Sequence, residues 1–513
     1  MLPGLRFTGE NWLPELTNTE TIGSPSSRTS SLVPMILCAA LYAIPVIGSV
    51  RAVADPDVWW HLRTGQWVIE QGTVPHHDPF SQGGTEKTWM AYSWLFDVVL
   101  YLIHQAIGLW GIVLYRTVAS VAVTAAVHRL IAKRVPRFLP AFLLTAAMVV
   151  TLVPLMNERT WLLTFLFSTL TLDVVLDLRA GTERKTVWLL PVVFVVWANV
   201  HIQFVYGLAL LCLACVAAIL DGLLALSFSK RIERPRFASW WKLPVLTIAS
   251  TAATLVNPYG YHLYDVVRDY ATQTQAYRII LEFGPLEFRE TWEWLVLALF
   301  GLAAFTLGRR ARLSTFDVLL LAGTAFLAFH HRRDVWFLVL ASAAILATPL
   351  GKGVVGVAEF PLTWRRNAIL FGVAGIVAAV VALQQGLTNQ RLQASVATTY
   401  PVEAIQVVEA RGDKGPIFNH FNWGGYLIWR LPRMPVSLDG RTNLHGDEKI
   451  LRCSNTWAGG IGWEDDPDLV AANVVIAEKG MVLTNLLRKD PRFQLEHEDA
   501  VALVFVRRTP PAP

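Results

Sequence analysis

The stretch Tyr92-Ser93-Trp94-Leu95-Phe96-Asp97-Val98-Val99-Leu100-Tyr101-Leu102-Ile103-His104-Gln105-Ala106-Ile107-Gly108 decides how the chain is threaded. Ser93, Asp97, Tyr101, His104 and Gln105 fall close to one helical face, while Leu95, Val98, Val99, Leu102 and Ile103 cover the other. A polar stripe of that kind suits a helix lying at a membrane interface better than one buried in lipid. Read so, it leaves about eleven apolar runs of crossing length, roughly 17–25 residues each. They fall near 32–50, 109–128, 138–156, 161–178, 186–202, 204–228, 243–258, 292–308, 314–330, 335–350 and 367–385. The basic clusters Arg129/Lys133/Arg134/Arg137, Arg179/Arg184/Lys185, Lys230/Arg231/Arg234/Arg236, Arg309/Arg310/Arg312 and Lys352/Arg365/Arg366 then share one side, which the positive-inside rule makes the cytoplasm. Counting the stretch as a crossing would send the first cluster outside.

Composition agrees. Of 513 residues 54% are hydrophobic and 16% charged, against about a quarter charged in soluble domains. Many of the 20 tryptophans, among them Trp59, Trp60, Trp161, Trp240, Trp241 and Trp364, stand at the ends of apolar runs, where an indole reaches the headgroup layer. The net charge of +5 is spread over short clusters between apolar runs and does not point to nucleic acid. Cys38, Cys212 and Cys215 lie within apolar runs and Cys453 in a polar part, so no disulfide framework is implied. Residues 1–31 are polar and lack the apolar core of a cleavable signal, and the run from Leu32 to Val50 reads as an uncleaved anchor.

The expected architecture is an α-helical polytopic membrane protein with a small α/β domain at its C-terminal end. It divides into a cytoplasmic segment 1–31, a transmembrane domain 32–385 with an outer loop 51–91, and an extracytoplasmic domain 386–513. In that last domain, strands are expected at Pro416–Phe418, Tyr426–Trp429, Val436–Leu438, Val474–Ala477 and Val501–Val506. Helices are expected at Pro401–Arg411 and Met481–Leu487. Function belongs on the outer face, in the first loop, the loop 259–290, the tail and the adjoining helix ends.

The first loop carries the sharpest signal: Asp55-Pro56-Asp57-Val58-Trp59-Trp60-His61-Leu62-Arg63, continuing to Pro75-His76-His77-Asp78-Pro79-Phe80. Carboxylates just outside a membrane can act as general base or hold a divalent cation against a phosphate. The plain alternative is a juxtamembrane helix with Asp55 capping it and Pro56 at its first position. Other outer-face groups are Glu158 and Arg159, then Asn199, His201 and Gln203, then His330 to Asp334. Arg159 and Arg333 suit a phosphate, since a guanidinium grips two oxygens at once; ordinary interfacial polarity explains the same residues. The adjacent pairs His76-His77 and His330-His331 lack the i, i+4 spacing by which two imidazoles share an ion. Asp173, Asp177 and Asp221 are expected to pair with Arg179, Arg184 or Lys230. In the tail, Asp439-Gly440-Arg441 with Trp423 or Trp429 reads either as a carbohydrate-facing turn or as a plain β-turn.

The string from Asp57 to Arg63, the helix ending at Gly72 and the Asp-Pro-Phe beyond resemble the first external loop of GT-C glycosyltransferases, closest to archaeal oligosaccharyltransferase catalytic subunits. The resemblance implies a cell-membrane glycosyltransferase, N-terminus cytoplasmic and C-terminal domain periplasmic. Its donor would be a polyprenyl-phosphate-linked sugar and its acceptor an extracytoplasmic lipid, glycan or protein. Asp57 would be the catalytic residue, as base or as ligand of a Mg or Mn ion, with Asp55 beside it. His61, Arg159 and Arg333 would hold the donor phosphate. Asp78, Glu158, Asn199, His201, Trp423, Asp439 and Arg441 would contact substrate. Asn422 to Trp429 with Leu438 to Asn443 is similar to the segment by which oligosaccharyltransferases read their acceptor. Phe421, Asn422 and Trp423 stand where that family has a tryptophan pair and an aspartate, which favours a bacterial GT-C relative over an oligosaccharyltransferase proper. The rival reading is a transporter or envelope scaffold with a binding domain. A transporter should show matched broken helices in two halves, and no such symmetry is seen.

Overall fold

The computed structural model describes residues 32–182, 184–227, 231–233, 239–273, 280–351 and 358–508. The segment 1–31 and the cluster members Lys230, Arg234, Arg236 and Lys352 lie outside the described residues.

Each apolar run is helical: α1 (Leu32–Ser49), α4 (Trp110–Ala132), α5 (Phe138–Leu152), α6 (Trp161–Arg179), α7 (Leu190–Val200), α8 (Phe204–Ser227), α9 (Lys242–Ala253), α11 (Thr291–Gly308), α12 (Thr315–His330), α13 (Val335–Gly351) and α14 (Trp364–Gln384). Between them lie α2 (Asp57–Gln71), α3 (Trp94–Ile107) and α10 (Leu263–Thr272). Seven of the apolar helices, those at α1, α4, α5, α6, α8, α11 and α14, are long and apolar enough to cross a membrane. Their outward residues match lipid: Leu226 and Leu383 are each 81% exposed.

The α3 helix has 14 residues, about 21 Å at 1.5 Å per residue and short of the ~30 Å hydrocarbon layer. The first part of its polar stripe faces inward, however, while Gln105 at its end is exposed. Asp97 and Tyr101 are buried, whereas Val99, Leu102 and Ile107 are exposed. The cause is α2, on which α3 packs. Cβ of any residue replacing Gly65 would fall 2.1 Å from the Asp97 carbonyl, so the two backbones touch there, and His61 gives Asp97 a partner.

Asp173, Asp177 and Asp221 pair as expected in part. Asp221 meets Arg179 at 3.1 Å and Asp177 meets Arg184 at 3.7 Å. Asp173 instead pairs with Lys133 and Arg134, which also reach Asp177.

The C-terminal part comprises α15 (Asn389–Ala397), α16 (Val402–Arg411), β1 (Ile417–Asn419), α17 (Phe421–Arg430), α18 (Thr442–Trp457), α19 (Pro467–Ala471), β2 (Val474–Glu478), α20 (Val482–Leu487), β3 (Phe493–Glu498) and β4 (Ala502–Arg507). The sheet order is β1-β2-β4-β3, with β1 parallel to β2 and the other pairs antiparallel. Two strand expectations are corrected. Tyr426–Trp429 belongs to α17, whose residues Trp423 to Ile428 are all buried, so no period distinguishes helix from strand. Val436 makes only isolated bridges, to Ile417 and Ser81. Val436 thereby ties the first outer loop to the C-terminal sheet, and α17 packs on α2.

Candidate active site

A cavity of about 750 Å³ opens where the outer helix ends meet the C-terminal domain. Asp57, Trp60, His61, Arg159, His201 and Arg333 form its membrane-domain wall, with Tyr92, Tyr270 and Glu282. Its other wall comes from the C-terminal domain, including His420, Asn422, Ser454 and Trp457.

Asp57 opens α2, where a carboxylate suits the positive end of the helix dipole. Its amide donates to Asp55 Oδ1 at 3.0 Å, so Asp55 does fold the turn that starts the helix. Gly440 packs directly on Asp57: a Cβ there would lie 2.1 Å from Asp57 Oδ1. The C-terminal domain therefore reaches the carboxylate itself. Burial pushes the Asp57 carboxyl up to about 7, and Asp55 and Glu282 add to this while Arg159 opposes it.

Arg159 is held by three carboxylates. Its Nε lies 2.5 Å from Asp55 Oδ2, its Nη1 2.7 Å from Glu282 Oε1, and its Nη2 3.3 Å from Asp57 Oδ2. Arg333 differs. It stacks on Phe283 at 4.4 Å, lines the cavity, and makes no ion pair among the described residues. Among the described residues, Arg333 is the one of the two arginines whose fork is uncommitted.

His61 is buried on α2, with Nδ1 2.6 Å from Asp97 Oδ1. Burial lowers the imidazole to about 3 and raises the Asp97 carboxyl well above the usual range, so both groups are neutral. The other ring nitrogen of His61 has no partner among the described residues. His201 Nδ1 sits 2.8 Å from Thr164 Oγ1, and burial keeps this ring uncharged as well.

The remaining expected contacts lie elsewhere. Glu158 is one layer behind the cavity: Oε1 accepts from the amides of Ala54 and Asp55 at 2.7 and 3.0 Å, and Oε2 meets Arg116 at 2.6 Å. Burial pushes this carboxyl up, but Arg116 and the two amides outweigh it and hold it below the usual range. Asn199 is spent on Trp94 and on the carbonyls of Val195 and Val256. Trp423 is buried and donates to the Thr399 carbonyl; Trp457 is the indole that the C-terminal domain contributes to the cavity, beside Trp60 and Trp161 of the membrane domain. Asp78, Asp439 and Arg441 do not line this cavity. Arg441 bridges Asp78 at 2.7 Å and Asp439 at 2.6 Å, all of them buried, and His445 lies 3.2 Å from Asp439. Despite burial, Arg441 and His445 hold the Asp439 carboxyl well below its usual range. This buried network locks the first loop to the C-terminal domain.

Sequence inspection missed Tyr92, Tyr270, Glu282, His420 and Trp457. Glu282 was within reach, since the loop 259–290 stood out as an outer segment. For a metal, the described residues bring one trio of ligand atoms within 4.8 Å of one another: Glu403, His497 and Asp499. That trio is on the C-terminal surface, where Asp499 already accepts from the amides of Val501 and Ala502.

No family model and no curated protein matches the sequence. Among solved structures the chain is similar to the apo oligosaccharyltransferase of Archaeoglobus fulgidus, with a TM-score of 0.50 and 11% identity over 88% of this chain and 70% of that one. The chain shares the fold of that structure. A second likeness is to ArnT from Cupriavidus metallidurans bound to undecaprenyl phosphate, with a TM-score of 0.49 and 12% identity over 93% of this chain and 98% of that one. With seven helices of crossing length among the described residues, the chain is built as an integral membrane protein.

Proposed function

We propose that this GT-C protein is a glycosyltransferase that takes a sugar from a polyprenyl-phosphate-linked donor and passes it to an extracytoplasmic lipid, glycan or protein. One observation carries the reading: Asp57, tuned near neutrality, and the uncommitted Arg333 face one cavity at the outer helix ends. A polyprenyl donor cannot leave the bilayer, so the reactive phosphate must be met at headgroup level. In this arrangement the membrane domain 32–385 holds the donor, the domain 386–513 closes the site from outside, and the N-terminus is cytoplasmic.

Arg333 grips the donor phosphate with its free fork. His61 adds one neutral N–H: a protonated Asp97 donating to Nδ1 leaves the ring proton on the opposite nitrogen. The acceptor hydroxyl attacks the anomeric carbon. The bond from that carbon to the phosphate oxygen breaks, the phosphate keeps the electron pair, and the hydroxyl proton passes to Asp57. A base with a pKa of about 7 suits that transfer at neutral pH.

The scaffold reading is the weaker one because Asp57, Arg159, His201 and Arg333 converge on the cavity instead of scattering. The deciding experiment is turnover of radiolabelled polyprenyl-phosphate sugars by the protein in lipid, comparing the wild type with Asp57→Asn. Consumption that collapses in the variant supports the reading. Equal turnover by both proteins, or none across a broad donor panel, sinks it.

A further inference from the structure

The resemblance to oligosaccharyltransferases allows a divalent cation beside Asp57, and the residues there can be tested for the fit. Mg or Mn draws its oxygen ligands to about 2.0–2.2 Å, so oxygens that share one ion crowd together. The carboxylates of Asp55, Asp57 and Glu282 do not crowd. Each addresses a different nitrogen of Arg159, and they are not among the groups whose ligand atoms lie within 4.8 Å of one another. A guanidinium stands at the point where the three converge.

That guanidinium is fixed from several sides. It lies over Trp161 at 4.9 Å, and the backbone carbonyl of Arg159 accepts the Tyr115 hydroxyl at 2.7 Å. The preceding residue, Glu158, binds the amides of Ala54 and Asp55, so the backbone carrying Arg159 is tied to the backbone carrying its main partner. An arginine keeps its charge at any physiological pH and offers a planar set of donors, which matches three separate carboxylates better than a compact ion does.

We propose that Arg159 takes the place of a divalent cation in this site, a positioning residue that gathers Asp55, Asp57 and Glu282 and makes the site metal-independent. The consequence for catalysis rests on the cavity being the transfer site; the consequence for metal binding does not. The residues do not fit a Mg or Mn ion, and no step of the reaction is assigned to one.

The test uses the full chain in lipid nanodiscs, stripped with chelator and titrated with Mn2+ while free ion is followed by electron paramagnetic resonance. Wild type is compared with Glu282→Gln, both carrying His497→Ala to remove the surface trio. Equal Mn2+ stoichiometry in the two proteins supports the proposal. An equivalent of tightly bound Mn2+ that Glu282→Gln abolishes overturns it, whether or not any donor is consumed. Where a donor is consumed, the chelator should leave the wild-type rate within about twofold, while Arg159→Ala loses about 100-fold. Guanidinium ion should recover at least about tenfold of that loss, as expected where a missing charge is resupplied. Wild-type turnover abolished by chelator and restored by Mg2+ or Mn2+ overturns the proposal, as does rescue of Arg159→Ala by Mn2+ alone.

Discussion

Asp57 concentrates the chemistry because burial and two neighbouring carboxylates raise it while Arg159 keeps it from rising further. Replacing it with Asn keeps the shape and the helix start but removes the proton acceptor. Turnover should fall about 10²–10⁴-fold with the fold intact by circular dichroism. The pH dependence has a definite sign: the base is active when deprotonated, so kcat/KM should be lost as pH falls through about 7 and level off above it. A profile flat between pH 5 and 8 would remove Asp57 from the role. Asp97 acts one step back, through His61. Asp97→Asn should raise the donor KM by about tenfold while leaving kcat within about twofold, since it disturbs binding of phosphate and not the base. Asp57, His61, Arg159, His201 and Arg333 were legible because ionisable groups beside apolar helix ends stand out in a sequence. The sequence could not separate a sugar-contacting role of Asp78, Asp439 and Arg441 from a structural one, because a buried ion network uses the same residue types as a sugar site, and only burial separates the two.

Among elements, α4 carries the residue that shapes the first loop. Arg116 is fully buried and donates to the carbonyls of Ser49, Arg51 and Ala52 as well as to Glu158, so it fixes the turn out of α1 just before Asp55. Arg116→Met leaves Glu158 charged, buried and short of its partner, a loss of ~3–5 kcal/mol. Glu158→Gln keeps an oxygen for the two amides and should cost less. Thermal unfolding followed by tryptophan fluorescence in detergent checks the order of the two variants; equal losses would mean that the ionic contact is not what holds the turn. The helices themselves were legible, because runs of apolar residues with no water to satisfy their backbone have few alternatives to a helix. What the sequence hid were α17, buried without a break from Trp423 to Ile428, and the edge strand β3, where Phe493 is the one buried residue and the rest are half-exposed or exposed.

At the scale of the molecule, the site exists only where two parts of the chain far apart in sequence are pressed together, which is why its C-terminal wall could not be read from local pattern. The pressing is done by apolar contact of α17 on α2 and by Arg441 between Asp78 of the first loop and Asp439 of the tail. Gly440, the residue between Asp439 and Arg441, is the one that touches Asp57. The lock and the contact with Asp57 therefore share a single turn, and loosening one should disturb the other. Arg441→Met strands two buried carboxylates, a cost of ~3–5 kcal/mol that falls on the contact between the parts and not on the crossing helices. Two results should follow: faster proteolysis in the exposed segment 385–399, and loss of donor turnover while the helical circular dichroism holds. Adding Asp78→Asn relieves one stranded charge, so the double variant should be less damaged than the sum of the single ones, with a coupling of ~1–3 kcal/mol. Strict additivity would mean that Arg441 and Asp78 do not hold the two parts together, and that the apolar face of α17 does so alone.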